Sequence, residues 1–229
     1  DIVLIGEEPE PPYSRMAIPY LLRERIKEDG TYLRKSISYF EDKNIEIVED
    51  CVTDVSASRR SIVLSSGKDL AYDRLLIAAG SHPISPPIDG IDLLGVHPCW
   101  TLADARAIAA RAKPDAKVVL MGAGFIGCII LEALAARGVN LTVVELENRM
   151  VPRMMNEVSG GLIKRWCKER GVRVLTSTRV EGISGGQHLD VYLSGDQILE
   201  ADLVISATGV QPNTDFLKGS GVEVDHGIL

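Results

Sequence analysis

The stretch that most limits what this chain can become is residues 117–145, KVVLMGAGFIGCIILEALAARGVNLTVVE. Residues 118–121 form a short uncharged run suited to a parallel strand buried on both faces. Gly122, Gly124 and Gly127 follow at once, as G-x-G-x-x-G. From Phe125 and Ile126 onward, Ile129, Ile130, Ala133, Leu134 and Ala136 recur at helical spacing. The helix should close at Arg137-Gly138, a basic last turn followed by glycine. A second strand, 141–144, then delivers Glu145.

Each part of this pattern has a physical role. Gly122 can take a tight turn, Gly124 presents no side chain to a pyrophosphate, and Gly127 lets helix and strand approach closely. The amides and positive dipole end of the helix, beginning at Phe125 and Ile126, would face phosphates. Glu145 stands 18 residues beyond Gly127. There a carboxylate accepts hydrogen bonds from adenosine ribose hydroxyls and repels a 2′-phosphate. The expected ligand is NAD(H) rather than NADP(H), although Arg149 and Arg153 lie just beyond and could serve a 2′-phosphate.

At 229 residues and 45% apolar, the chain can bury a sizeable core as one large or two small domains. A net charge of −7 argues against a nucleic-acid surface and points to small molecules or another protein as partners. The apolar stretch 118–131 is 14 residues, broken by glycines and followed by Glu132, too short for a membrane span. Cys51, Cys99, Cys128 and Cys167 are widely spaced with no C-x-x-C, so reduced, mostly buried thiols and a cytoplasmic setting are expected. His82, His97, His188 and His226 share no ligand spacing, so no metal site is expected.

Taken in order, residues 1–6 read as a buried strand closed by Glu7, like the second strand of another dinucleotide unit whose first strand and glycine turn would precede it. The chain reads as beginning in mid-fold. Runs 45–48, 61–64 and 70–71 suggest an antiparallel meander, and 75–80 a buried strand ending in a glycine turn. Residues 81–90, with three prolines, read as a linker. Helices are expected over 18–26, 102–112 with Thr101 as N-cap, and 158–170 despite Gly160-Gly161. Residues 172–175 suggest a third parallel strand, 180–183 with 189–193 a hairpin, and 203–207 a buried strand ending Thr208-Gly209. DRLLIAAGSHP beside DLVISATGVQP reads as an internal repeat. The expected fold is α/β with two Rossmann-like nucleotide-binding domains. These are an incomplete FAD-type domain at 1–98, an NAD(H) domain at 99–215, and a return segment at 216–229.

With two such units, one inserted in the other, the chain resembles the pyridine nucleotide-disulfide oxidoreductase superfamily of FAD- and NAD(P)-dependent flavoproteins. The resemblance implies that Glu7 binds the FAD ribose, that Val52 offers a backbone contact to adenine, and that the turn through Ala79 and Gly80 lines the flavin domain. It also implies that Gly209 closes the NAD domain. Pro12-Tyr13-Ser14-Arg15 is similar to a segment of rubredoxin and ferredoxin reductases and of the nitrite reductase flavin part, which would set Arg15 toward FAD. A redox cysteine found there in disulfide-reducing members is missing, since Cys51 is the first cysteine. The implied chemistry is hydride transfer from NADH to FAD, with electrons passing to a separate acceptor such as a small redox protein. A homodimer is left open. The alternatives are an NADH oxidase or coenzyme A-disulfide reductase type, or a non-catalytic NADH-binding module. Tyr20 replaces a flavin-facing lysine, and Ile129 an acidic residue near the nicotinamide. The resemblance further implies a fragment that holds FAD weakly or not at all.

Overall fold

The computed structural model describes residues 1–36 and 38–229. In chain order it builds β1 (Ile2–Gly6), α1 (Ile18–Leu22), β2 (Ile45–Glu49), β3 (Val52–Ser56), β4 (Ser61–Leu64), β5 (Asp69–Ala71), β6 (Ser81–Pro83) and β7 (Val96–Pro98). There follow α2 (Leu102–Arg111), β8 (Lys117–Met121), α3 (Phe125–Ala136), β9 (Asn140–Val144), α4 (Glu157–Glu169) and β10 (Arg173–Leu175). The last strands are β11 (Val180–Gly185), β12 (Leu189–Leu193), β13 (Gln197–Ala201), β14 (Leu203–Ser206) and β15 (Val210–Pro212). The fold is α/β, and the chain divides into two compact units. One comprises Asp1–Ser14, Tyr32–His82 and Val210–Leu229; the other comprises Arg15–Thr31 and Pro83–Gly209.

The second unit is built on a five-stranded sheet in the order β10-β9-β8-β14-β7, parallel throughout. Chain direction away from β8 reverses between β8 and β14, which is where doubly wound sheets open a crevice at their carboxyl ends. Val118, Val119 and Leu120 are at most 2% exposed, so β8 is covered on both sides. On one side Val119, Met121, Val144 and Val204 meet Val180, Ile183, Val191 and Leu193 of a three-stranded antiparallel sheet, β11-β12-β13. The expected hairpin is therefore a three-stranded meander. Gln197–Ala201 joins it because every residue of β12 finds a cross-strand partner there.

Helix ends follow local chemistry. Thr101 and Asp104 form a reciprocal capping box on α2, and Asn156 accepts from the Ser159 amide at the start of α4. Gly160 is explained by approach rather than by helix ending: a Cβ there would lie 2.7 Å from the Met150 carbonyl oxygen. Arg137, its side chain 10% exposed, ties three helices together. It donates to the carbonyls of Ala109 and Ala112 at the end of α2 and of Leu22 at the end of α1, at 2.7–3.1 Å. Among the described residues, no helix is long and apolar enough to cross a membrane.

In the first unit, β1 pairs in parallel with β2, residue for residue from Ile2↔Ile45 to Gly6↔Glu49. The antiparallel meander is β3-β4-β5. This corrects two expectations. The run at 45–48 belongs beside β1 rather than in the meander, and β3, hidden by the polar residues of VTDVS, takes its place. The core here is Val55, Ile62, Leu64 and Leu217, joined by Ile5 and Val48. The strand at 1–6 is not buried as expected: Ile2, Val3 and Leu4 are 60%, 44% and 39% exposed, because their sheet has two strands and the core takes Ile5. Residues 75–80 form no strand, and Leu76 is 89% exposed, since no described strand pairs with them. The two halves of the sequence repeat therefore differ in structure. Each still leads into a short strand, and these strands, β6 and β15, pair with each other.

The Arg137 arrangement has a measurable consequence. Arg137→Ala strands helix-end carbonyls in a buried place and should lower unfolding free energy by about 2–4 kcal/mol. Glu24, 79% exposed and 3.0 Å from the same guanidinium, should contribute under about 1 kcal/mol when replaced by alanine. Urea denaturation of the two variants separates these values.

Candidate functional site

At the carboxyl end of β8 the backbone turns at Gly122, whose φ of +93° is one that side chains disfavour. A Cβ at Gly122 would lie 2.5 Å from the Ala207 carbonyl oxygen, so the turn rests directly on the segment that follows β14. Ala207 in turn donates its amide to Met121 at 2.8 Å. Gly127 is equally constrained: a Cβ there would lie 2.3 Å from the Gly122 carbonyl oxygen. These two approaches hold the start of α3 against the carboxyl end of β8, where the sheet order reverses.

Gly124 behaves differently. It is the N-cap of α3, at φ −72° and ψ −167°, and a Cβ built on it meets nothing within 4 Å. The fold itself therefore does not require glycine at 124. The first helical bond is Cys128 to Gly124, which leaves the amides of Phe125, Ile126 and Gly127 without intrahelical acceptors. No side chain caps them, and no acidic residue sits in the first turn, whereas α2 and α4 have both. An uncapped amide cluster at the positive end of a helix suits a phosphate. Phe125 is 55% exposed beside it.

Glu145 follows β9 and is 6% exposed. One carboxylate oxygen accepts from the Ala123 amide at 2.6 Å and the other from the Glu147 amide at 2.8 Å. Each oxygen keeps a further lone pair for a hydroxyl donor. Arg149 is committed to its own loop: its guanidinium donates to Asn148, Pro152 and Met155 at 2.8–2.9 Å. Arg153, in the same loop, is exposed. Gly209, φ +142°, lies just after β14 and its carbonyl accepts from the Ile84 amide at 2.9 Å.

The residues expected to face FAD fall in two places. Glu7, Val52, Ala79 and Gly80 belong to the first unit and Arg15 to the second. Glu7 lies beside Cys51, whose thiol is pushed up by burial and by the Glu7 and Asp50 carboxylates. Asp50 itself is held down to about 2 by the Ser65 and Ser66 hydroxyls and the Cys51 amide. Ala79 and Gly80 present their carbonyls to Asn213, and Gly80, φ +66°, has open space where a Cβ would stand. Arg15 donates to the Trp100 carbonyl at 2.8 Å and lies over the Trp100 ring. Tyr20 is 52% exposed, and Glu132, one turn beyond Ile129, is paired with Arg23 at 2.8 Å.

Cys51 is exposed, whereas Cys99 and Cys128 are unsuited to exchange. Burial first, then Asp104, pushes Cys99 up to about 12, and burial, then Cys167 and Glu145, pushes Cys128 up to about 11. His97 on β7 has a buried Nε2 without a hydrogen-bond partner among the described residues, and burial and then Arg111 lower its pKa. No group of His, Cys, Asp or Glu among the described residues could hold a metal ion.

A sequence signal for the buried pairing of Glu145 with Ala123 was missing, because a strand-end acid looks the same whether it meets solvent or a backbone amide. The glycines, in contrast, were legible, and their two kinds of constraint make a test. Gly124→Val should leave the melting temperature unchanged while weakening NADH binding at least about tenfold, since the added atoms project into the open space before the amides. Gly127→Ala should instead destabilise the fold by about 1–3 kcal/mol through overpacking. Thermal denaturation and NADH fluorescence titration of both variants read the difference.

The family profile described as pyridine nucleotide-disulphide oxidoreductase matches residues 1–229. An NADH oxidase of Methanocaldococcus jannaschii is 34% identical over 98% of this chain and 52% of its own length. The ferredoxin reductase for the CYP199A2 system of Rhodopseudomonas palustris superposes with a TM-score of 0.91 at 27% identity, over 99% of this chain and 57% of that one. Putidaredoxin reductase in its covalent complex with putidaredoxin gives 0.93 at 25% identity, over 99% and 56%. The chain spans about half the length of the curated relatives it matches. It belongs to the pyridine nucleotide-disulphide oxidoreductase family.

Proposed function

From that membership, we propose that this chain carries the NADH-binding unit and part of the FAD-binding unit of an oxidoreductase that passes hydride from NADH to FAD and electrons on to a separate small redox protein. The observation that carries the reading is the uncapped start of α3, with Gly124 open in front of it. The amides of Phe125, Ile126 and Gly127 would hold the pyrophosphate, Gly122 and Gly127 fix the helix in place, and Glu145 would accept from the ribose. A carboxylate at that position supports NAD over NADP, and so does the commitment of Arg149 to its own loop.

On the FAD side, Glu7 is an exposed carboxylate at the end of a parallel strand and Gly80 an open glycine turn, a donor and acceptor set that fits an adenosine end and a close backbone approach. Val52 and Ala79 would add backbone contacts. The bound cofactors supply the hydride chemistry, while the protein binds, orients and excludes water. No side chain is needed as acid or base in a hydride transfer to a flavin. A thiol relay is not part of the proposal, because burial holds Cys99, Cys128 and Cys167 in the protonated form. A cytoplasmic setting belongs to the same reading and is supported by four free thiols.

One specific observation favours a second reading. The archaeal relative at 34% identity is an NADH oxidase, so molecular oxygen is the alternative acceptor. Rapid mixing of the flavin-loaded full-length protein with NADH tests both. Bleaching of the flavin absorbance, followed by slow reoxidation in air and fast reoxidation by an added ferredoxin-type protein, is the expected result. Fast reoxidation by oxygen alone supports the oxidase. NADH binding with no bleaching contradicts both readings and leaves a binding module.

A further inference from the structure

Ala123, in the middle of the glycine-rich turn, is 0% exposed, and its backbone is gripped at both its amide and its carbonyl. Its amide donates to Glu145 at 2.6 Å. Its carbonyl accepts from the Val151 amide at 2.8 Å and from the Cys128 thiol at 3.5 Å. Val151 is itself an outlier: a buried, β-branched residue at φ +50°, a conformation such side chains adopt only when the surroundings impose it. The imposing contacts are present. The amides of Met154 and Met155 donate to the Val151 carbonyl, and Arg149 fastens the loop through Pro152 and Met155. The carboxylate's second oxygen holds the Glu147 amide, so the loop leaving β9 is attached to the turn at two points.

Resting on the reading of this turn as a pyrophosphate cradle, we propose that Glu145 is a positioning residue for the turn itself. With Val151 it clamps the Ala123 peptide, so that the sugar-end carboxylate and the phosphate-end amides form one unit. Each oxygen of Glu145 already holds a backbone amide before any ligand arrives, so besides the lone pair it keeps for a hydroxyl the carboxylate fixes the direction in which the next amides, those of Phe125 and Ile126, point. Its effect on affinity therefore reaches the phosphates through Ala123 as well as the sugar directly.

The test has two arms on the 229-residue chain. In the first, without ligand, the Ala123 amide of Glu145→Gln should exchange with solvent at least about tenfold faster than in the wild type, while the amides of Val119 and Leu120 keep their protection. Should the glutamine variant not fold, Glu145→Asp, which keeps the charge one methylene short, is read in the same way. Unchanged exchange at Ala123 overturns the clamp. In the second arm, NADH and its analogue with a 2′,3′-dideoxyadenosine ribose are titrated. The analogue offers Glu145 no hydroxyls, yet it should lose roughly tenfold in affinity for the glutamine variant. An analogue bound equally well by both proteins confines Glu145 to the sugar and overturns the proposal. Failure of the wild type to bind either ligand overturns the dinucleotide reading instead, and the exchange arm then decides the clamp alone.

Discussion

The structure depends on how closely α3 can lie against β8. Two missing side chains allow it: atoms added at Gly127 would meet the Gly122 carbonyl, and atoms added at Gly122 would meet that of Ala207. Everything useful about the site follows from that approach. It sets the uncapped amides of α3 at the carboxyl ends of β8 and β14, where the sheet order reverses, and it leaves Gly124 facing open space. Hydrophobic burial supports the arrangement without specifying it. The strand behind the turn is covered on one side by helix and on the other by the β11-β12-β13 sheet, so the turn has a rigid base.

The two units are built to different degrees of closure. The second surrounds its sheet with helices and a meander, and Arg137 fastens the helix ends. The first carries an apolar strand, β1, whose residues are largely exposed, beside an apolar stretch at 75–80 that pairs with no described strand. The chain spans about half the length of the curated relatives it matches, and the residues of the dinucleotide site all belong to the second unit.

Much of this was legible in the sequence because the signals were local. The strand, three glycines, helix, second strand and acid of residues 117–145 lie in one continuous run, and each appears where its pattern places it. Thr101 as an N-cap was equally readable, with Asp104 completing the box. Strands β3 and β13 were not, since VTDVS and QILEA are mixed in polarity and become strands by pairing antiparallel with neighbours that supply the buried face. Residues 75–80 show the opposite failure. An apolar run signals a tendency to be buried, but a strand also needs a partner ladder. Within the site, the occupation of Glu145 by Ala123 and Glu147 and the left-handed Val151 depend on contacts between a turn and a loop some 20 residues apart, which no spacing rule encodes.

The central claim is that backbone amides at the start of α3 receive the phosphates of a nicotinamide dinucleotide. Amide resonances followed by nuclear magnetic resonance during an NADH titration test it most directly. The account predicts saturable shifts concentrated on Ala123 to Gly127 and the loop after Glu145, with the amides of β11, β12 and β13 unmoved. Shifts that avoid the glycine turn, or a titration that leaves it unchanged while NADH binds elsewhere, would contradict the account.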